Sequence, residues 1–239
     1  MRTPNSGDLD PLNGDHSNVF GPELGEFPEA ERRADLDKDQ QMKTGTTTVG
    51  LRTEDAVVLA TDMRASLGGM VSSKDVQKVE QIHPTGALTI AGSVSAAQSL
   101  IRNLRAETSL YETRRGKDMS MQALSTIVSN FLRSGAFFIV SPLVGGVDDT
   151  GPHVYSMDPL GGMSEEDYSV TGSGSQFALG VLEQHYEEGL SVEEAKSIAA
   201  KAIDSAVERD LASGNGINVA VATEDGVDIT REKDIKSLL

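Results

Sequence analysis

Residues 45–62 of the chain read Gly-Thr-Thr-Thr-Val-Gly-Leu-Arg-Thr-Glu-Asp-Ala-Val-Val-Leu-Ala-Thr-Asp. Two runs of β-branched and apolar residues, 46–51 and 56–61, lie on either side of the polar segment 52–55. Such runs, separated by a few turn-forming residues, are typical of two strands joined as a hairpin. The stretch therefore predicts an antiparallel sheet whose first strand opens at Thr46 and whose second strand ends at Asp62.

The order of segments along the rest of the chain predicts the fold class. Strands and helices alternate in blocks, and the fourth helix opens with a capping box formed by Ser191 and Glu194. The predicted segments are a strand at 86–92, helices at 95–115 and 119–133, strands at 136–147, 152–158 and 167–171, helices at 175–188 and from 191 onward, and a hairpin of 217–223 with 227–230. Helices that arrive in pairs do not give the single-helix crossovers of a doubly wound parallel sheet. We therefore predict an α/β (α+β) fold, built as a four-layer α/β/β/α sandwich of antiparallel sheets.

The first 45 residues differ from the remainder in composition and in hydrophobic periodicity. They contain four of the eight prolines and show no strand or helix periodicity before the charged stretch 29–43. Segments of this kind usually stay outside the packed core. We predict a mobile leader at 1–45 and one ordered domain at 46–239.

The charge of the chain restricts its partners. Thirty-seven acidic residues against 21 basic ones give a formal net charge of −16, which repels nucleic-acid phosphates and anionic membrane surfaces. The longest unbroken apolar runs, such as 136–140, are far shorter than the roughly 20 residues that a bilayer crossing needs. We expect a soluble, cytoplasmic protein that binds neither nucleic acid nor membrane.

Two further features of composition bear on chemistry and habitat. There is no cysteine, and the four histidines lack paired ligand spacing, so we predict no disulfide, no cysteine nucleophile and no metal site. The acidic excess is either the ordinary surface of a cytosolic protein or an adaptation to a salt-rich cytoplasm. Nine lysines, no tryptophan and an aromatic fraction of 4% favour the second interpretation.

The threonine cluster 46–48 is of chemical interest because of its position at the end of the leader. An arbitrary threonine cluster is usually only the start of a strand. If the bond between Gly45 and Thr46 were cut, however, Thr46 would carry a free α-amine with a pKa of about 7.7–8.0. One residue would then supply both a hydroxyl nucleophile and a general base.

Three charged residues are candidates for the same site. Asp62 ends a strand on the face that holds Val58 and Ala60, where a carboxylate needs a cationic partner. Lys78 is a candidate partner, although an isolated lysine is more often a solvated surface residue. Asp210 lies at helical spacing from Ile203, on the inward side of the last predicted helix, where it either caps a turn or takes part in function.

The run Thr171-Gly172-Ser173-Gly174-Ser175 is a weak signal alone. It lacks the Gly-Lys-Ser/Thr ending of a phosphate-binding loop and the Gly-x-Ser-x-Gly pattern of a hydrolase elbow. No histidine stands in a context typical of the base of a serine triad.

Taken together, these motifs resemble the archaeal proteasome β subunits, and a halophile would be the expected source. The resemblance extends from Gly45 almost to the C-terminus. It rests on the stretches 45–50, 60–64 and 89–92, on Lys78, and on the stretches 144–148, 172–175 and 209–214.

The resemblance implies an N-terminal nucleophile hydrolase fold and a threonine endopeptidase. Thr46 would be the nucleophile, exposed by autocatalytic removal of the propeptide 1–45. Asp62 and Lys78 match the pair beside that threonine, whose ammonium lowers the pKa of the hydroxyl.

The same resemblance implies roles for residues around the nucleophile. Ser173, Asp210 and Ser213 match the group that orients the threonine amine. Gly92 matches the position whose backbone N–H faces the oxyanion. No cofactor is implied for this hydrolysis.

Substrate preference and partners also follow from the resemblance. The positions that match the substrate pocket are mainly apolar, which favours cleavage after large apolar residues, although Glu80 at the rim would admit a basic side chain. These positions are Ala65, Val76, Ile90, Val94 and Gln98. The implied partners are proteasome α subunits, other β subunits in a ring, a ring-shaped ATPase unfoldase and unfolded protein substrates.

Three alternatives stay open from the sequence. One is the bacterial two-ring threonine protease of the same superfamily, which the stretches 62–64 and 144–148 disfavour. Another is a non-catalytic ring subunit, which would lack the set Thr46, Asp62 and Lys78. The third is an acidic binding module whose leader is a recognition arm.

Overall fold

The first hairpin forms as the sequence predicts. In the computed structural model, which describes residues 45–137 and 139–239, β1 (Thr47–Arg52) pairs antiparallel with β2 (Val57–Asp62). Thr48 lies opposite Thr61, so the start of β1 and the end of β2 lie side by side at one end of the sheet. The predicted leader 1–45 lies, apart from Gly45, outside the described residues.

The described residues form two five-stranded antiparallel sheets and a small separate hairpin. The remaining strands are β3 (Ala65–Leu67), β4 (Met70–Ser73), β5 (Val79–His83), β6 (Gly86–Thr89), β7 (Leu143–Asp148), β8 (Gly151–Met157), β9 (Met163–Glu165), β10 (Tyr168–Gly172), β11 (Ile217–Thr223) and β12 (Gly226–Glu232). The first sheet has the order β10-β1-β2-β11-β12, and the second has the order β5-β6-β7-β8-β9. Strands β3 and β4 pair only with each other.

The α-helices of the described residues come in two pairs, and three of the four have a serine side chain as the N-cap. They are α1 (Val94–Arg115), α2 (Met121–Arg133), α3 (Ser175–His185) and α4 (Val192–Val207). Ser93 and Ser120 cap the N-termini of α1 and α2 with their side chains. The predicted capping box is confirmed, because the Ser191 side chain accepts from the Glu194 N–H while the Glu194 carboxylate accepts from the Ser191 N–H.

Three apolar cores among the described residues hold these elements together in layers. One core joins α1 and α2 to one face of the second sheet, through residues such as Leu88 and Leu124. Another joins α3 and α4 to the first sheet, through residues such as Val58 and Ile203. A third lies between the two sheets and includes Leu59 and Leu143. The predicted four-layer α/β/β/α sandwich is confirmed.

The glycine pair of β7 explains one of the sequence motifs physically. A Cβ at Gly145 would lie 2.6 Å from the Val57 side chain of the facing sheet, and a Cβ at Gly146 would collide with Met121 of α2. The two glycines therefore let β7 approach a sheet on one side and a helix on the other.

The structure corrects several predicted boundaries. The predicted strand 136–147 exists only from Leu143, because the Val140 N–H turns back to the Phe137 carbonyl. The sequence prediction missed β3, β4, β5 and β9. Asp210 is not on the last helix, since α4 ends at Val207.

In the described part of the chain, none of the helices combines the length and the apolar character that a bilayer crossing needs.

Candidate active site

Asp62 is the fully buried centre of the site at the end of β2. Its Oδ1 accepts from the Thr46 hydroxyl at 2.7 Å, from the Thr47 N–H at 3.0 Å and from Lys78 Nζ at 2.5 Å. A buried carboxylate is stable only when such donors replace its hydration. The strand pairing that brings β1 beside β2 thus places the carboxylate under the first residues of β1.

Backbone groups hold the second oxygen of the same carboxylate. Asp62 Oδ2 accepts from the Arg64 N–H at 3.0 Å and from the Gly214 N–H at 2.8 Å. Gly214 has a φ of +154°, and a Cβ there would collide with the Arg64 guanidinium. These donors fix the carboxylate plane, so that Oδ1 keeps its direction toward Thr46.

Lys78 is buried, with 2% of its surface exposed, which excludes the solvated-lysine alternative. It ends an irregular segment, 75–78, directly before β5. Its Nζ donates to the Thr46 hydroxyl oxygen, to Asp62 Oδ1 and to the Arg64 carbonyl at 2.8 Å. These three acceptors match the three protons of an ammonium group.

Burial is the main influence on the acidity of Lys78. Loss of hydration lowers the pKa of the ammonium below 10.5, although the charges of Asp62 and Asp210 act in the opposite direction. The positive charge of Arg64 adds to the lowering. Residues whose pKa is strongly perturbed by burial and by a specific charged partner cluster at functional sites.

Thr46 lies between these two charged groups with 3% of its surface exposed. Its hydroxyl donates to Asp62 and accepts from Lys78, and its N–H donates to Ser173 Oγ at 3.1 Å. Gly45 precedes it in a confined position, because a Cβ there would collide with Ala212 and would lie 2.6 Å from Ser173 Oγ. The junction predicted from sequence therefore lies within the site.

A second polar cluster adjoins the N–H of Thr46. Asp210 Oδ2 accepts from the hydroxyls of Ser173 at 2.6 Å and Ser213 at 2.7 Å, while its Oδ1 accepts from the Ala212 N–H at 3.2 Å. Asp210 thus caps a turn and also reaches the site, so the two interpretations of this residue are compatible. The hydroxyl of Ser213 contacts that of Thr47 at 2.7 Å, so Ser213 reaches Thr46 only indirectly.

Gly92 has a backbone geometry that other residues would not tolerate. Its φ is +107°, and a Cβ would collide with the Ile139 carbonyl. Gly92 forms an isolated bridge with Val140, whose two hydrogen bonds are donated by the N–H groups of Ser93 and Ser141. The N–H of Gly92 is therefore not used in this bridge.

The predicted pocket residues lie in three different environments. Ile90 is buried in the core with α1 and α2, with 2% of its surface exposed. Ala65, Val76 and Val94 are half-buried, and Gln98 is exposed on α1. Their grouping as a pocket stays a prediction.

Glu80, the predicted rim carboxylate, already has a partner within the chain. It forms an ion pair of 2.9 Å with Arg105 of α1 and accepts a hydrogen bond from Gln77. A carboxylate in this state is less free to receive a basic substrate side chain.

Sequence reasoning missed the structural role of Arg64. Its N–H binds Asp62, its carbonyl accepts from Lys78, and its guanidinium donates to Asn215 Oδ1 at 2.9 Å and to the Leu211 carbonyl at 2.8 Å. Asn215 has a φ of +69°, a value that asparagine tolerates better than most residues. The only available signal was the stretch Asp62-Met63-Arg64 itself, because two of these roles belong to the backbone.

Comparison with known proteins adds independent information. Residues 42–222 match the family described as "Proteasome subunit". The chain is 73% identical to the proteasome subunit beta of Haloferax volcanii over 242 residues, covering 100% of both chains. It is 57% identical to proteasome subunit beta 2 of Haloterrigena turkmenica, covering 95% of each chain. It is also 59% identical to proteasome subunit beta 1 of the same organism, covering 94% of this chain and 93% of the other.

Proposed function

The chain belongs to the proteasome subunit family as a catalytic β subunit, and we propose that it is a threonine endopeptidase whose nucleophile is Thr46. The family predicted from the sequence is confirmed, and so is the expectation of a halophilic source. As a proteasome β subunit the chain is a peptidase component that assembles with α subunits and with other β subunits in rings.

A single observation supports the choice of Thr46. Its hydroxyl oxygen lies between a buried ammonium and a buried carboxylate, at the residue directly before β1. Removal of residues 1–45 converts its amide N–H into an α-amine beside Ser173. That amine accepts the hydroxyl proton while Thr46 Oγ1 attacks a substrate carbonyl carbon.

The neighbouring groups then act on charge as it develops. The Lys78 ammonium lowers the pKa of the Thr46 hydroxyl by electrostatic attraction to the alkoxide, and Asp62 holds the ammonium in place. Ser173 and Asp210 orient the amine. The N–H of Gly92 stabilises the oxyanion, and the protonated amine gives its proton to the leaving nitrogen as the peptide C–N bond breaks. Water then hydrolyses the ester on Thr46 Oγ1, which releases the second product as a carboxylic acid and restores the hydroxyl.

The same nucleophile accounts for removal of the leader. Thr46 Oγ1 attacks the Gly45 carbonyl carbon, the C–N bond breaks, and the nitrogen of Thr46 takes up a proton as an ester forms. Water then hydrolyses the ester, which releases residues 1–45 with a C-terminal carboxylate and leaves the free hydroxyl and amine of Thr46.

Intact mass and N-terminal sequence, measured together with peptide turnover, test this proposal. We expect Thr46→Ala to assemble with α subunits but to keep residues 1–45 and to show no turnover. Thr48→Val is the matched control, because the Thr48 hydroxyl contacts Thr171 rather than the site. Loss of the leader from Thr46→Ala, with no other active subunit present, would refute self-processing. Full turnover by that variant would refute the nucleophile.

Substrate preference forms a separate proposal. The half-buried apolar residues Ala65, Val76 and Val94 support a pocket that accepts large apolar side chains, which gain roughly 1.5–3 kcal/mol on burial. A lysine or arginine side chain gains less, because Arg105 occupies the carboxylate of Glu80. We expect fluorogenic peptides ending in tyrosine to be cleaved faster than those ending in arginine or glutamate. If the arginine peptide is cleaved as fast as the tyrosine peptide, and Glu80→Gln abolishes that cleavage, Glu80 sets the preference.

The cellular setting completes the proposal. We infer that the subunit acts in the cytoplasm on unfolded proteins delivered by a ring-shaped ATPase. The family membership supports these partners. Co-purification of the assembled particle with an ATPase ring, and degradation of an unfolded protein that depends on ATP, are the measurements that check them.

A further inference from the structure

Asn218 is a fully buried amide close to the site, outside the group of residues described above. It lies on β11, directly between Thr61 of β2 and Arg231 of β12. The two protons of its Nδ2 are shared among three acceptors, which are Thr61 Oγ1 at 2.9 Å, the Val76 carbonyl at 3.1 Å and the Asp62 carbonyl at 3.3 Å. A buried amide with this many partners has a single defined orientation.

The acceptors of this amide belong to the two segments that carry the charged pair. Asp62 ends β2, whereas Val76 lies in the irregular segment 75–78 that leads to Lys78. The segment lacks strand pairing at this point, and it is held by isolated bonds such as that from the Val76 N–H to the Met63 carbonyl at 3.0 Å. Asn218 therefore ties the backbone on which Lys78 depends to the strand that carries Asp62.

Arg231 and Asp75 determine which way the amide points. Arg231 Nε donates to Asn218 Oδ1 at 3.1 Å, so the Nδ2 group must face Thr61, Asp62 and Val76. The same guanidinium is paired with Asp75 at the start of segment 75–78. Asp75, Arg231 and Asn218 thus form a continuous chain of polar contacts from the surface to the backbone of the charged pair.

We propose that Asn218, oriented by Arg231, is a positioning residue that sets the distance between Lys78 and the Asp62–Thr46 pair. This inference rests on the proposed function, because it assigns Asn218 to the same reaction. A displacement of about 1 Å of a catalytic group can cost about a hundredfold in rate. The contacts of Asn218 are of the kind that prevent such a displacement.

Two variants and a matched control test the inference in the processed, assembled particle. Asn218→Asp keeps the shape and the contact to Arg231 but cannot donate to the three acceptors when ionised. Arg231→Gln removes the guanidinium that fixes the orientation of the Asn218 amide. Because the Arg231 side chain is partly exposed, this variant is less prone to folding defects than Asn218→Asp. Lys233→Gln is the control, because Lys233 also pairs with Asp75, at 2.7 Å, but does not contact Asn218.

The readout is the pH profile of kcat. Misfolding of part of the protein would lower kcat equally at every pH and would leave the pH of the alkaline limb unchanged. We expect Asn218→Asp and Arg231→Gln to lower kcat by about tenfold to a hundredfold and to move the alkaline limb, while Lys233→Gln resembles the wild type. An unmoved limb in both variants, or an equal loss in Lys233→Gln, overturns the positioning role. If Thr46→Ala keeps its turnover, the proposed function fails instead, so the two failures are distinguishable.

Discussion

The two ends of the sandwich use the same residue types for different purposes. At the Thr46 end, Asp62 and Lys78 are buried and surrounded by backbone donors and acceptors. At the other end, about 20 Å away along a six-residue strand, the turns open into a cleft lined by carboxylates. Among the described residues, this acidic lining comprises Glu54, Asp55, Asp118, Asp148, Asp149, Glu224 and Asp225.

Burial and backbone contacts, rather than the number of charges, decide how strongly a charged side chain acts on its neighbours. Lys117 lies exposed in the acidic cleft, where water can solvate it and its neighbours alike. Lys78 lies where water is excluded, and each of its protons meets a fixed acceptor. A charge in the second setting acts strongly on an adjacent hydroxyl, because the local dielectric screening is weak.

The strongest contrast between the two ends is expected when Lys78 and Lys117 are each replaced in separate variants. Lys78→Ala should abolish peptide turnover while ring assembly survives, and Lys78→Arg should also fail because a planar fork cannot replace a compact ammonium among three fixed acceptors. Lys117→Ala, at the exposed end, should change stability by less than about 0.5 kcal/mol and leave turnover unchanged. Fluorogenic peptide turnover and size-exclusion chromatography measure both outcomes. Turnover close to that of the wild type in either Lys78 variant contradicts the comparison.

An intermediate effect is expected in the alkaline limb of the activity profile. Burial lowers the pKa of Lys78, and the proposed reaction requires its ammonium form, so we expect activity to be lost as pH rises through this lowered pKa. The limb should therefore lie below the 10.5 of an ordinary lysine, and Lys117→Ala should leave it in place. Recovery of activity after return to pH 8 separates titration from unfolding. A reversible limb at or above 10.5 would exclude Lys78 as its source.

Much of the fold was readable because its signals are local. The first hairpin, the paired helices and the capping box at Ser191 each depend on neighbouring residues. The small hairpin of β3 and β4 also had a signal, Gly68-Gly69, which the prediction missed. The apolar run 136–140 misled because the Val140 N–H bonds back to the Phe137 carbonyl, and Val140 forms a bridge with Gly92, a residue distant in sequence.

The residues of the site also fall into two groups, those that the sequence indicates directly and those that depend on contacts distant in sequence. Thr46, Asp62 and Lys78 could be proposed because they are titratable or nucleophilic residues in a recognisable order, and the structure brings them into contact. Arg64 acts through its backbone, and Asn218 through partners on three other segments. Contacts of that kind depend on strand register, which the residue pattern of one chain does not specify.

The weakest effect is expected for Asp148, a carboxylate of the acidic cleft that stabilises the fold. Its Oδ2 accepts from the Met121 N–H at the start of α2 at 2.7 Å, and its Oδ1 accepts from the N–H of Thr150 at 2.8 Å and from the hydroxyl of that residue at 2.6 Å. Burial alone would raise the pKa of Asp148, but these hydrogen bonds together with His153 outweigh burial and lower it below 3.8.

A carboxylate whose pKa is lowered on folding stabilises the fold at a pH above its unfolded value, and this contribution disappears as pH falls through the folded value. Because the Asp148 charge lies at the N-terminus of α2, Asp148→Asn should cost about 1 kcal/mol of stability at pH 7, with the difference from the wild type shrinking below about pH 4. Asp149→Asn, on the adjacent exposed residue, is the control and should follow the wild type throughout. Thermal unfolding between pH 7 and pH 3 measures the difference, and peptide turnover at pH 7 should be unaffected in both variants. A difference that stays constant with pH would show that Asp148 acts through its shape and not its charge, and a loss of turnover would show that the two ends are coupled.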